Sequence, residues 1–278
     1  MRMLAFLAAA IVGAAPASAL AADLPLFDAH IHYSHDAVEV VPPPEAIKIL
    51  RDAGIRRALL SSSGDEGTQK LVALAPELVL PSLRPYRTRG ELSGWTRDPT
   101  IVAWMEERLA KAKYVAIGEF HVYGEEADLP NVKRAVELAR KHGLVLHAHA
   151  DVDAIERIFR HDPKARVLWA HSGFQRPEVI APMLALYKSL RADLAFRNEH
   201  GNGGKVDPMW RALFTRYPDR FMVGTDTFTP ERWHYVAEHA SWSRAWLADL
   251  PKELAERIAW RNGEALFAQA TQAQKAAP

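Results

Sequence analysis

Asp28-Ala29-His30-Ile31-His32 stands in the first short apolar run after the N-terminal segment. Side chains alternate faces along a strand, so His30 and His32 point the same way, one pleat apart. Two imidazoles held like that can share a single metal ion. Later apolar runs also end in ligand-type residues. Glu119 follows Ile117-Gly118, and His147 and His149 close Leu144-Val145-Leu146-His147-Ala148-His149. His171 follows Trp169-Ala170, and Asp226 follows Gly224-Thr225. Each has an ordinary reading by itself: a lone histidine packs, Asp226 caps a helix, Glu119 is half of an ion pair. Polar groups at the tips of several apolar strands are costly to bury unpaired, however, and a metal cluster satisfies them together. Carboxylates with neutral imidazoles suit Zn²⁺, with Mn²⁺ or Fe²⁺ as alternatives.

These residues need a scaffold that brings strand tips together. The sequence alternates β-rich runs with longer amphipathic stretches. The runs are Leu26–Tyr33, Arg57–Ser63, Leu78–Tyr86, Tyr114–Tyr123, Leu144–Asp151, Arg166–Phe174, Leu190–Asn198 and Arg220–Phe228. Helical patterns lie between them at Pro44–Ala53, Thr100–Ala112, Asn131–His142, Val152–Arg160, Arg176–Lys188 and Pro208–Tyr217, with Gly54 and Gly143 as stop signals. Such a rhythm predicts a parallel sheet, and eight units close most naturally into a (β/α)₈ TIM barrel whose chemistry sits at the C-terminal strand ends. A doubly wound open sheet would bring a glycine-rich turn after the first strand, and His30-Ile31-His32-Tyr33-Ser34-His35 is not one. No linker divides residues 22–278, which read as one domain, and the Ala/Gln-rich tail Thr271–Pro278 reads as frayed.

The 278 residues are 49% hydrophobic and 25% charged, with net charge +1 and no cysteine, which is ample for a large core and excludes disulfides. The charge balance gives no support for nucleic-acid binding, which needs a basic excess or stripe. Met1-Arg2-Met3, the short apolar run Leu4–Ala15 and small residues around Ala19-Leu20-Ala21 predict a signal peptide over residues 1–21. The mature chain is then exported, periplasmic in a bacterium, with no membrane attachment after cleavage.

The order His-x-His, Glu, His, His, Asp on strands one, four, five, six and eight resembles the amidohydrolase superfamily of metal-dependent barrels. Ile117-Gly118-Glu119 is similar to the strand-four motif of its TatD-like branch. Trp169-Ala170-His171-Ser172-Gly173 and Phe221-Met222-Val223-Gly224-Thr225-Asp226 look closer to its amidohydrolase-2 branch. Arg261-Asn262-Gly263-Glu264-Ala265-Leu266-Phe267 resembles a C-terminal helix that both branches share. The resemblance implies two ions per chain: His30, His32 and Asp226 hold one, His147 and His171 the second, and Glu119 bridges. His149 then lies near the substrate, and Asp28 supports the histidines from behind. Two departures matter. Many amidohydrolase-2 members lack the strand-four glutamate and use one metal, and the TatD pattern has arginine where His149 stands.

Paired ions lower the pKa of a shared water, giving a hydroxide that attacks a carbonyl or phosphorus. Asp226 can take the nucleophile's proton and pass it to the leaving group. Arg84 and Arg197, near the tips of runs three and seven, suit a carboxylate or phosphate, against the plain reading of surface ion pairs. His121 shares the face of Glu119 as a further substrate contact or support. Asn202-Gly203-Gly204 reads as a flexible loop over the mouth, and Trp95, Trp210 and Trp233 as pocket wall or core. The expected function is hydrolysis of a small, anionic ester, lactone, amide or phosphoester. The rival is a one-metal decarboxylase of an aromatic or unsaturated acid, and the non-enzyme alternative a metal- or ligand-binding barrel. Oligomeric state has no signal in the sequence.

Overall fold

Eight of the predicted runs become strands of one parallel sheet: β1 (Leu26–His32), β2 (Ile55–Ser61), β3 (Val79–Leu83), β4 (Ala116–Val122), β5 (Val145–Ala150), β6 (Val167–Trp169), β7 (Leu190–Asp193) and β10 (Phe221–Met222), in that order around the sheet. The computed structural model describes residues 24–268. The signal-peptide reading of residues 1–21 and the frayed-tail reading of Thr271–Pro278 lie outside the described residues. The ring is brought nearly to closure by two backbone hydrogen bonds, from Ala29 N to Val223 O (2.9 Å) and from Asp226 N to His30 O (2.7 Å). The expected TIM barrel is the observed architecture.

Helices cover the outside because their apolar stripes match it. In helix Val152–His161 the buried residues are Ala154, Ile155, Ile158 and Phe159, one face at helical spacing, and the Asp151 carboxylate caps the start by accepting from Ala154 N. Helix Pro130–His142 stops at Gly143, which takes the left-handed φ of 65°. Inside the ring, Phe27, Leu59, Leu80, Val145, Leu168 and Met222 fill the barrel, with Phe267 of the C-terminal helix stacked on Phe27. Asn262 pins that helix by donating to Pro218 O and Phe221 O. Among the described residues, no helix is long and apolar enough to cross a membrane.

Two irregularities aim side chains at the barrel mouth. Between β1 and β2 the register runs Asp28↔Ala58 and then Ile31↔Leu60, so β1 carries one extra residue. Strict alternation from the inward-facing Phe27 and Ala29 would send His30 and His32 outward, and the bulge turns both into the barrel. Between β4 and β5 the register runs Gly118↔His147 and then Phe120↔Ala148, and the extra residue is Glu119. Gly118 is required here: its φ is 126°, and a Cβ would stand 2.0 Å from the His147 carbonyl oxygen.

The sixth, seventh and eighth runs leave the sheet earlier than their composition suggests. His171 (φ 53°), Phe196 (φ 55°) and Asp226 (φ 52°) turn left-handed, a strained backbone for side-chain-bearing residues that tends to occur at functional sites. Asn202-Gly203-Gly204 is not a loose loop over the mouth. It turns a short antiparallel hairpin, β8 (Gly201–Asn202) with β9 (Lys205–Val206), packed on helix Val236–Leu247.

Candidate metal centre

The bulged strands and left-handed turns bring His30, His32, Glu119, His149, His171 and Asp226 to one point in the mouth. His30 Nε2 and His32 Nε2 are 3.1 Å apart, and Asp226 Oδ1 lies 3.8 and 3.5 Å from them. Glu119 Oε1 is 3.5 Å from His30 Nε2 and 3.5 Å from His171 Nε2, while its Oε2 is 3.2 Å from His32 Nε2. Both His30 with His32 and Asp226, and His30 with Glu119 and His171, form buried groups able to hold a metal ion.

What fixes these imidazoles is the other nitrogen of each ring. Nδ1 of His30 faces Asp193 Oδ2 at 3.2 Å, that of His32 faces Ser61 Oγ at 2.8 Å, and that of His171 faces Ala195 O at 2.9 Å. An acceptor behind Nδ1 leaves the Nε2 lone pair facing forward, the arrangement of metal-bound histidines. The two Nε2 atoms, 3.1 Å apart, are close enough to share one cation. Asp226 Oδ1 is buried and has no hydrogen-bond partner, which is costly for a carboxylate oxygen. The donor set therefore fits a divalent cation.

The two β5 histidines divide. His149 Nδ1 lies 2.9 Å from Glu119 Oε1, whereas His147 Nε2 lies 3.0 Å from Asp193 Oδ2, behind His30. Of the pair, His149 is thus the one in contact with the carboxylate that joins the cluster. His121 sits opposite His149 in the ladder, their rings stacked at 4.2 Å, and Tyr86 holds its Nδ1 at 3.0 Å.

Burial pushes Glu119 up, but the charges of His121 and His30 and the bonds from His149 and His171 outweigh it and hold the carboxyl well below its usual range. Asp193 behaves likewise: burial is outweighed by His30 and His147, and the group stays ionised. Asp226 moves the other way, raised chiefly by burial. Burial also takes His147 down to about 4 and His121 down to about 3.

Of the two arginines, Arg84 reaches the centre by donating from Nη2 to Glu119 Oε2 at 2.7 Å and from Nε to Glu119 O. Arg197 is engaged otherwise: Nη1 donates to His171 O, Nη2 to Gln175 O, and Nε to Glu199, the plain ion-pair reading. Trp95, Trp210 and Trp233 are fully packed rather than pocket-lining at this mouth. Trp95 and Trp233 brace it from behind, donating to the carbonyls of His121 and His32. Asp28, expected to back the imidazoles, bonds to no ring: it accepts from His30 N, Thr225 N and Thr225 Oγ1 and ties β1 to the loop after Met222, while the rings are backed by Asp193, Ser61 and the Ala195 carbonyl.

The sequence profile of the amidohydrolase family matches residues 27–269, nearly the whole chain. The protein belongs to the amidohydrolase family. No curated protein matches it. Among solved structures it is similar to a Pseudomonas putida protein named for 2-pyrone-4,6-dicarboxylic acid hydrolysis, at 15% identity and TM-score 0.61, over 88% of this chain and 98% of that one. An uncharacterised TIM-barrel protein from Bordetella bronchiseptica gives 16% identity and TM-score 0.58, over 89% and 100%. A Burkholderia multivorans amidohydrolase with bound HEPES gives 13% and 0.53, over 88% and 99%. At such identities the likeness is one of fold.

In this amidohydrolase, sequence reasoning missed Asp193. It ends the short β7 segment Leu190-Arg191-Ala192-Asp193, an acid at a strand tip by the same rule that singled out Asp226. It accepts from His30, His147 and the His171 and Ala195 amides, four donors on one fully buried carboxylate. Asp193→Asn is expected to lower divalent-metal affinity about 10- to 100-fold by releasing the His30 ring. Competition against a chromophoric chelator measures this, and unchanged affinity would assign Asp193 to packing alone. Also unforeseen is an aromatic rim, with Tyr123, Phe174, Phe196 and Phe228 all exposed around the mouth. Phe174 stacks on His171 at 4.6 Å, and Tyr123 packs edge-on to His149 at 6.1 Å.

Proposed function

We propose that the protein is an exported hydrolase that uses two divalent ions, zinc being the natural occupant, to cleave a small anionic ester, lactone, amide or phosphoester. The observation that carries this reading is the set of Nδ1-anchored rings of His30, His32 and His171, which turn their Nε2 atoms onto Glu119 and the partnerless Asp226 Oδ1. His30, His32 and Asp226 hold one ion. His171 and His149 hold the second, and Glu119 lies between the two groups. Bound ions at such a centre acidify water and polarise a carbonyl or phosphoryl oxygen.

The chain's own residues supply the rest. The Asp226 carboxylate, through the oxygen not given to the ion, accepts the proton of the attacking water and returns it to the leaving atom, a role suited to a carboxyl that burial has already raised. Arg232, held on the Asp226 and Thr225 carbonyls, puts positive charge at the mouth for an anionic substrate. The aromatic rim offers flat apolar surface to the organic part of that substrate.

One observation favours a second reading. Arg84 already neutralises Glu119, which leaves room for a single ion on His30, His32 and Asp226 and a decarboxylase chemistry. The two are separated by assaying a panel of carboxylated esters, lactones, amides and phosphoesters beside aromatic and unsaturated acids. Hydrolysis that vanishes with chelation and returns with Zn²⁺ is the expected result. Loss of CO₂ from an acid, with no hydrolysis in the panel, would overturn it.

A further inference from the structure

Arg232 follows the loop that carries Asp226, and half of its guanidinium is spent on that loop. Nε donates to Asp226 O at 2.6 Å and Nη2 to Thr225 O at 3.0 Å, which fixes the side edge of the group. A guanidinium has five N–H groups in one plane. The end edge, made by Nη1 and the second hydrogen of Nη2, is left over. Nη1 has no hydrogen-bond partner among the described residues, and it is not one of the buried partnerless atoms, so it reaches solvent. With Phe196, Arg232 lines a cavity of about 480 Å³ that adjoins the mouth.

The neighbouring charges set this arginine apart. Arg84 is paired with Glu119, Arg87 with Glu91, Arg89 with Asp36 and Arg197 with Glu199. Arg232 has carbonyl partners alone, and Glu238, on the wall of the same cavity, forms no ion pair with it. Its guanidinium carbon lies 4.9 Å from the ring centre of Phe196 and 5.1 Å from that of Phe228, two exposed rings packed edge-on at 5.4 Å. Such rings hold a cation in place and thin the water around it, which strengthens a hydrogen bond from its free edge. Two parallel N–H groups match the two oxygens of a carboxylate. A phosphate could meet the same fork, but no second unpaired arginine or lysine lines the cavity to balance a dianion.

We propose that Arg232 is the specificity-determining residue of the mouth, and that its free edge takes the substrate's carboxylate in a two-bond fork. This rests on the hydrolase reading and narrows it: the substrate is a carboxylic acid that carries its ester, lactone or amide elsewhere in the molecule, and not a phosphoester. Because the same guanidinium grips the Asp226 carbonyl, the anion is held in register with the proposed base.

The probe is benzoate, titrated by calorimetry into the full-length, Zn²⁺-loaded protein, beside benzamide and phenyl phosphate. Benzoate should bind saturably, and at least about tenfold more tightly than either of the others. Arg232→Gln should lower benzoate affinity about 10- to 100-fold and leave benzamide affinity unchanged, with metal content equal to that of the parent. Arg232→Lys keeps the charge without the fork, and should recover less than half of the loss on a logarithmic scale. A purely structural role would weaken both ligands alike. If Arg232→Gln does not fold, Arg232→Lys and the ranking in the parent decide. Benzoate affinity unchanged in Arg232→Gln would place the anion on the metal, and phenyl phosphate bound more tightly than benzoate would make the site one for phosphate; either overturns the proposal. Failure of the hydrolase reading looks different: benzoate binds through Arg232 as described, yet no ester, lactone or amide is cleaved.

Discussion

Asp226→Asn is expected to lower kcat by about 10²- to 10⁴-fold while leaving the far-ultraviolet circular dichroism spectrum and the melting curve close to those of the parent. The amide is nearly isosteric, so the backbone bond from Asp226 N to His30 O, which helps bring β10 onto β1, survives. What is lost is the carboxylate that can take a proton. In the unsubstituted protein its Oδ1 is buried, has no hydrogen-bond partner, and faces Nε2 of His30 and His32. An asparagine can still offer a carbonyl to a metal, so some metal should remain. Substantial activity in this variant, measured at saturating substrate with metal content held equal, would remove Asp226 from the proton path.

Glu119→Gln is expected to have two separable effects. The first is on metal: the group between the two candidate sites loses its charge, and His149 and His171 lose the carboxylate oxygen they face at 2.9 and 3.5 Å. Metal content should fall by about one ion per chain. The second effect is on stability. Arg84 pairs with Glu119 at 2.7 Å where both side chains are buried, and removing one partner strands the other charge at a cost of about 3–5 kcal/mol. Adding Arg84→Met should recover much of that stability in denaturant titrations without restoring the metal. If the double variant regains metal as well, Glu119 acts through Arg84 and is no ligand.

The barrel was legible in the sequence because parallel strands buried on both faces read as short apolar runs, and the stop signals between them are chemical. Gly143 illustrates this, placed in the left-handed region at a helix end. The shared face of His30 and His32 was legible too, since it follows from the two-residue period alone. Which way that face points was not, because it depends on a bulge between Asp28 and Ile31 that leaves no mark in the apolar pattern. The same holds for Glu119, an extra residue on β4. Arg197 shows a further limit. Its position near a strand tip suited substrate binding, yet its partners are Glu199 two residues on and carbonyls of the loop after β6, contacts set by tertiary geometry. Asp193 was hidden by brevity, since its strand is four residues long and the run was read on through Asn198. His147 and His149 have the same period and the same apolar neighbours, so only the structure separates the ring on Glu119 from the ring on Asp193.

The most direct measurement is the metal content per chain of the purified protein, by elemental mass spectrometry after purification without chelators. The account predicts about two zinc-like ions per chain, with about one remaining in Glu119→Gln. A folded protein that holds no ion even after incubation with Zn²⁺, Mn²⁺ or Fe²⁺ would contradict it. So would a single ion whose occupancy is the same with and without the Glu119 carboxylate.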